Sequence, residues 1–509
     1  MALRITTVEN GMVEGVPGAN PCYTVFKGIP YAAPPVGELR WRAPQKAENW
    51  QGVYRADRFS RIAPQVRHPE GSLYQKEFFQ YPEEMSEDCL YLNIWTPAES
   101  GGEKLPVIFW IHGGALSGGY SFEPEFDGEV FCRQGIILVT VNYRVGALGF
   151  LAHPELAQES ETHTSGNYGH MDQIAALKWV RRNIAAFGGD PENITVAGQS
   201  SGAISAQILL CCEVSRQDIS KVILQSAGGV WAGFEPYSVS RREAEELGIS
   251  YMKRMGCTSV EEMRRVPWEQ IVAGQPSQPY EAKFATCVDG YLLKEDPVGM
   301  LLQNDYAETP CLIGNTAVEM AFTVQADPED FCRKASARYG EKTDEYLKLV
   351  KTQEDMNRIC GMADIMSVSN RTFAELKEQQ GRQKAYVYYF NREVPGEDHR
   401  GAFHSSELWY VFGTLQRCWR PMNGTDYDLS DAMARYWGNF AKTGNPNGAG
   451  LETWEPYSVE KPGSMILGER IHMEVLKESE DQTFTKKFFL EKAREKESGV
   501  ETCRSCREK

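Results

Sequence analysis

The sequence predicts an α/β fold: a central, mostly parallel sheet flanked by helices, with helical insertions walling one edge. Three observations carry that expectation. Short apolar runs such as Val107–Ile111 are continuous rather than alternating, as strands buried on both faces must be. Strand-like and helix-like segments alternate through the middle of the chain. The run Ile194–Ala203 reads as a β-branched strand, a glycine-flanked serine, and the start of a helix rich in small residues.

In chain order, Thr24–Phe26, Leu90–Trp95, Val107–Ile111 and Ile136–Val141 are predicted strands, short, apolar and bounded by Gly, Pro or Asn. His170–Phe187 is a predicted helix. Ile174, Leu177, Val180 and Ile184 share one face, Lys178, Arg181 and Arg182 another, and Gly188-Gly189 supplies the stop. Ile194–Ala197 and Val222–Gln225 follow as strands. From Ser238 to about Arg382 the chain reads as mainly helical, with Arg241–Met255 and Asp327–Arg358 polar and periodic. These are expected to be insertions over the carboxyl edge of the sheet, where a binding site would be walled. Ala385–Phe390 returns as a strand. No internal repeat or low-complexity linker interrupts the chain. A single domain over 1–485 is therefore expected, with insertions at roughly 238–382 and a charge-dense terminal helix or tail at 486–509.

A chain of 509 residues can bury a core that needs no disulfide. Its net charge of −16 sets nucleic acid aside as a partner. The 13 cysteines are odd in number and mostly single, the pattern of free thiols in a reducing compartment. Cys211 and Cys212 are adjacent and poorly placed to bridge. Cys503 and Cys506 form a C-x-x-C with no second pair to complete a zinc site. No metal or cofactor is expected. Met1–Val8 lacks the basic start and apolar stretch of a secretory leader. No apolar run is long enough to cross a bilayer. A cytoplasmic protein without a membrane partner is expected.

The glycine-flanked serine carries the chemistry. Only Ser200 has glycine two residues before and two after, at Gly198 and Gly202. A G-x-S-x-G segment between strand and helix is a nucleophile elbow, a turn so tight that flanking side chains must be absent. A serine hydroxyl is a poor nucleophile without a base beside it, so base, orienting acid and oxyanion donors must come from elsewhere. His112-Gly113-Gly114-Ala115 follows directly on the strand Val107–Ile111, where small residues let backbone N–H groups approach a substrate. Of the eight histidines, His404 is the favoured base. It follows the strand Ala385–Phe390 and obeys the order Ser, acid, His. For the acid, Glu319 follows the short strand beginning at Cys311. Asp289 and Asp296 are alternatives on chemistry alone.

With these residues in view, the chain resembles the type-B carboxylesterases, which include the cholinesterases and bacterial p-nitrobenzyl esterases. The resemblance extends from about Val25 to Trp454. It rests on Phe26-Lys27-Gly28-Ile29-Pro30-Tyr31-Ala32, Ser86-Glu87-Asp88-Cys89-Leu90-Tyr91-Leu92-Asn93, Phe187-Gly188-Gly189-Asp190-Pro191 and Phe440-Ala441-Lys442-Thr443-Gly444-Asn445-Pro446. It implies an α/β-hydrolase fold with Ser200, Glu319 and His404 as nucleophile, acid and base. It also implies Gly114, Ala115 and Ser201 as oxyanion N–H donors, Ser226 as a partner of the acid, and an Arg40–Glu87 ion pair. By the same alignment Leu116, Trp231, Phe284, Phe322 and Trp409 are candidate walls of an apolar pocket. The family pattern is broken in places. Gln199 and Ser201 stand where Glu and Ala are usual, which removes a negative charge near the histidine and adds a hydroxyl beside the nucleophile. Met320 follows the acid where glycine is usual. Ala63 stands where secreted relatives hold the partner of the cysteine at Cys89. Phe79 is the nearest counterpart of the aromatic that cholinesterases use against choline, so choline esters are not expected substrates.

The function expected is two-step hydrolysis of neutral carboxylic esters through an acyl-enzyme, by a monomer or homodimer acting on a small molecule. The alternatives within enzymes are a specialised hydroxycinnamate esterase and an amide or carbamate hydrolase. The alternative outside them is an adhesion or binding homologue that has lost catalysis.

Overall fold

Continuous apolar strands need cover on both faces, and this requirement organises the molecule. The computed structural model describes residues 2–81, 84–230, 238–275, 284–320 and 325–507. Fifteen strands are formed among them: β1 (Ile5–Val8), β2 (Gly11–Pro17), β3 (Thr24–Pro30), β4 (Val53–Ala56), β5 (Tyr91–Thr96), β6 (Leu105–Ile111), β7 (Ile137–Val141), β8 (Gly189–Gln199), β9 (Lys221–Gln225), β10 (Val239–Ser240), β11 (Cys287–Val288), β12 (Cys311–Thr316), β13 (Ala385–Phe390), β14 (Ser464–Leu467) and β15 (His472–Glu474). Thirteen of these form one sheet in the order β1-β2-β3-β5-β7-β6-β8-β9-β12-β13-β14-β15, with β4 on β2.

From β7 through β14 every pairing is parallel. The flanks are antiparallel apart from β4, which runs parallel to β2, and short connections such as that from Val8 to Gly11 permit only hairpins. Alternate residues go to opposite cores, as a period of two requires. Val107, Phe109 and Ile111 enter one core and Ile108 and Trp110 the other. The helix Ser201–Cys211 is buried along its whole length and is apolar nearly all round, as a helix in a large core can be.

The predicted strands are present, several of them longer than their apolar runs. The first and last strands, β1, β2, β14 and β15, hold apolar runs too short to be read from pattern. The predicted helix over 170–187 is an α-helix over Tyr168–Asn183 that tightens to a 3-10 turn at Ile184–Phe187 and stops at Gly188, whose φ of 84° suits glycine. The stretch 238–382 is mainly helical, and the short strand expected from Cys311 lies within it as β12. β12 passes through it to pair with β9 and β13 in the middle of the sheet. The charged terminal segment belongs to a helix over Glu480–Arg507 that starts before 486 and docks. Phe484 and Phe488 pack edge-on to Tyr339 at 5.6 and 5.1 Å. Among the described residues no helix is long and apolar enough to cross a membrane. The cysteines whose side chains are described are free thiols.

Register sets the neighbours at one edge. Ile111 pairs with Gly198, Gln199 with Gln225, and Gly314 with both Gln225 and Tyr388. The loops leaving β6, β8, β9, β12 and β13 therefore emerge side by side, at the carboxyl ends of parallel strands, where α/β sheets bind their ligands.

Candidate active site

Ser200 sits between β8 and the helix Ser201–Cys211 with φ 56° and ψ −129°, a conformation costly for any residue with a side chain. Close packing enforces it. A Cβ on Gly202 would lie 2.1 Å from the Ile111 carbonyl oxygen, and one on Gly198 would lie 2.4 Å from the Gly202 backbone. The Ser200 N–H donates to the Gln225 carbonyl at 2.8 Å, tying the turn to β9. The helical ladder begins with Ala203 and Ile204, whose N–H groups both reach the Ser200 carbonyl. The N–H of Ser201 thus belongs to the first turn, whose donors have no partner within the helix.

The loop after β6 faces that turn. Gly114, Ala115 and Leu116 have φ of 101°, 57° and 59°, three successive residues in left-handed backbone. Gly113 passes so close that a Cβ there would meet the Gln199 carbonyl at 3.0 Å. The Leu116 N–H donates to Ser201 Oγ at 3.2 Å, and its carbonyl accepts from Gly146 at 2.7 Å.

Glu319 and His404 are joined twice. The His404 N–H donates to the Glu319 carbonyl at 3.1 Å, and its ring Nδ1 hydrogen-bonds Glu319 Oε2. Glu319 Oε1 accepts the Thr316 N–H at 2.8 Å, and both side chains are buried. With Nδ1–H committed to the carboxylate, Nε2 is the accepting nitrogen of the ring. It lies 3.3 Å from the Gln199 amide nitrogen, on the residue preceding Ser200. Burial opposes a charge on the imidazole. The Glu319 charge, its hydrogen bond and the charge of Glu407 outweigh burial and hold the His404 pKa above its usual value.

The chain's similarity to known proteins agrees with this geometry. Residues 3–485 match the model of the carboxylesterase family. The chain belongs to that family. It is 33% identical over 493 residues to the para-nitrobenzyl esterase of Bacillus subtilis (strain 168), covering 94% of this chain and 98% of that one. It is 34% identical over 490 residues to the fumonisin B1 esterase of Sphingopyxis macrogoltabida, covering 90% of this chain and 85% of the relative. Among solved structures, a PNB esterase superposes with a TM-score of 0.81 at 29% identity, covering 96% of this chain and 99% of that one. The fold is that of the α/β-hydrolases, and the protein is a carboxylic ester hydrolase of the type-B kind.

The alternatives for acid and base have other work in this esterase. Asp289 Oδ1 accepts three backbone N–H groups, from Tyr291, Leu292 and Leu293. Asp296 caps the helix Pro297–Leu302. His112 is buried, pushed down to about 4 by desolvation, and stacks on Tyr143 at 4.3 Å. His170 bonds Gln173 and Thr286, and His68 stacks on Phe79. The Arg40–Glu87 pair is formed and bidentate.

The remaining expected residues fall in different places. Ser226 donates its hydroxyl at 3.4 Å to Glu407, rather than to Glu319. Phe284 packs on Tyr251 at 4.9 Å in the core. Trp409 is buried and stacks on Phe78 at 6.0 Å. Trp231 and Phe322 lie outside the described residues. Sequence reasoning missed Glu407. It is fully buried, accepts from Gln225 and Ser226, and is pushed up to about 7, first by burial and then by the charge of Glu319. Its position three residues after His404 was the available signal.

Proposed function

We propose that this esterase hydrolyses neutral carboxylic esters through an acyl-enzyme on Ser200. The observation that carries the reading is the His404 imidazole, bound through Nδ1 to Glu319 and presenting Nε2 to the residue beside Ser200. His404 takes the proton from Ser200 as the hydroxyl attacks the ester carbonyl. Glu319 holds the tautomer and stabilises the imidazolium. The developing oxyanion is received by the N–H groups of Gly114, Ala115 and Ser201, donors of a kind each worth roughly a hundredfold or more in rate. His404 then protonates the departing alcohol, and water enters by the same route in reverse to release the acid.

Substrate preference follows from side chains near the base. Gln199 brings an amide and no charge, so a cationic leaving group gains nothing there. Leu116, on the loop that faces Ser200, supplies an apolar wall that suits aromatic or medium-chain esters. The enzyme works as a monomer or homodimer, and its free thiols suit the cytoplasm. Ser200→Ala lowers turnover of a p-nitrophenyl ester by roughly four to six orders of magnitude, and a fluorophosphonate probe labels the unmodified protein at Ser200 only. A Ser200→Ala protein that keeps most of its activity overturns the reading.

A further inference from the structure

We propose that the Gln225 side chain is a positioning group, joining the turn that carries Ser200 to the turn that carries His404. The proposal deepens the reading above and depends on it. Gln225 is the last residue of β9 and is fully buried. Alternation along the strand sends Val222 and Leu224 into one core and Ile223 into the other, so the Gln225 side chain enters the core that holds Ile223, Phe403 and Trp437. An amide among such neighbours costs free energy unless its polar atoms find partners. Its Oε1 accepts the Trp437 indole N–H at 2.9 Å. An indole nitrogen only donates, so this bond fixes which end of the amide is oxygen and aims the NH2 group elsewhere. There Nε2 donates to Glu407 Oε1 at 3.3 Å.

The same residue holds the elbow, because its carbonyl accepts the Ser200 N–H at 2.8 Å. Ser226 adds a second donor, its hydroxyl meeting the same Glu407 oxygen at 3.4 Å. Successive residues of a strand point opposite ways. The Ser226 φ of 50° breaks that alternation and lets both side chains reach one oxygen. The Ser226 N–H donates at 2.8 Å to the carbonyl of Gly314, on the strand that leads to Glu319. The segments carrying Ser200, Glu319 and His404 therefore meet at the end of β9. On the base side, the Ser406 N–H reaches the Phe403 carbonyl at 3.0 Å and the Leu408 N–H that of Ser405 at 3.1 Å, so His404 and Glu407 share one tight turn. Ser405, between them, has φ 75°, a conformation that persists only while its surroundings hold it. Glu319 holds that turn from β12, and Gln225 holds it from β9 through Glu407. With the second tie cut, the turn relaxes and the imidazole loses its alignment on Ser200, which costs rate more than binding.

The test compares Gln225→Met, which keeps the length of the side chain and loses both polar atoms, with Gln225→Glu and the double variant Gln225→Glu/Glu407→Gln. All are assayed on a p-nitrophenyl ester on the alkaline plateau of the pH profile, where titration of the base does not enter. Gln225→Met is expected to lower kcat about tenfold, with KM changed less than about twofold. Gln225→Glu sets one carboxyl against another and lowers kcat by about tenfold or more. The double variant exchanges the two roles. The carboxylate at 225 accepts from Trp437 and from the amide at 407, so the tie returns with its donor reversed, and kcat recovers to within about threefold of wild type. A kcat within about twofold of wild type in Gln225→Met, a loss in kcat/KM carried by KM, or a double variant no faster than Gln225→Glu overturns the proposal. Should no variant at 225 fold, Ser226→Ala removes the other donor to Glu407 and is expected to lower kcat about threefold; an unchanged kcat there overturns the proposal. An active Ser200→Ala protein would instead remove the catalytic reading beneath it.

Discussion

Gly202→Ala isolates the mechanical basis of the elbow. The added Cβ would lie 2.1 Å from the Ile111 carbonyl oxygen and 2.8 Å from that of His112. Both are backbone atoms, so no side chain can swing aside. Ordinary contact begins at 3.4 Å, so the helix Ser201–Cys211 and the end of β6 must part by about 1.3 Å. That displacement lies between Ser200 and the loop that faces it. A shift of about 1 Å at reacting groups costs on the order of a hundredfold in rate, and overpacking of this kind costs about 1–3 kcal/mol of stability. The assay is initial-rate hydrolysis of a p-nitrophenyl ester alongside thermal unfolding. The control is Gly424→Ala, where a Cβ meets nothing within 4 Å and the backbone is already helical. The control should retain wild-type kcat. A folded Gly202→Ala enzyme with kcat within about threefold of wild type would refute the claim that close backbone approach sets the geometry.

In the proposed mechanism His404 is neutral when it acts as base, and its pKa is raised, so kcat/KM should climb with pH through a midpoint above 6.5. Glu407→Gln removes one of the charges that raise it, so that midpoint should move to lower pH; an unmoved or higher midpoint contradicts the coupling. Glu123 is pushed up to about 8 and the neighbouring Glu125 well above its usual range, both by burial first, and neither Glu125 oxygen has a donor among the described residues. Such carboxyls favour folding while protonated, so their contribution is complete below about pH 4.5 and is lost as pH rises through about 8. The melting temperature should therefore fall on the alkaline side, and Glu125→Gln should flatten that fall; parallel melting curves against pH for the two proteins would refute this. Arg420 donates to Glu77 and to Asp398 and is wholly buried. Arg420→Met leaves Glu77 buried without its cation, a loss of about 3–5 kcal/mol, readable by denaturant unfolding, and a loss under about 1 kcal/mol would show the pair to be dispensable.

The amino-acid sequence alone determined which segments become buried strands, because continuous runs such as Val107–Ile111 have no polar face to offer water. It also determined the serine of the elbow, because only Ser200 has glycine at both offsets that a tight turn demands. The acid could not be chosen that way. Glu319, Asp289 and Asp296 are equally good carboxylates in the chain, and only folding assigned the latter two to a turn and a helix cap. The partner of Ser226 was likewise decided in three dimensions, where the end of β9 meets Glu407. So was the place of β12 in the sheet, because it gains its hydrogen bonds from strands far away in sequence. Local patterns record what a segment needs from its surroundings, whereas the identity of a buried side chain's partner depends on strand order and register, which no single segment contains.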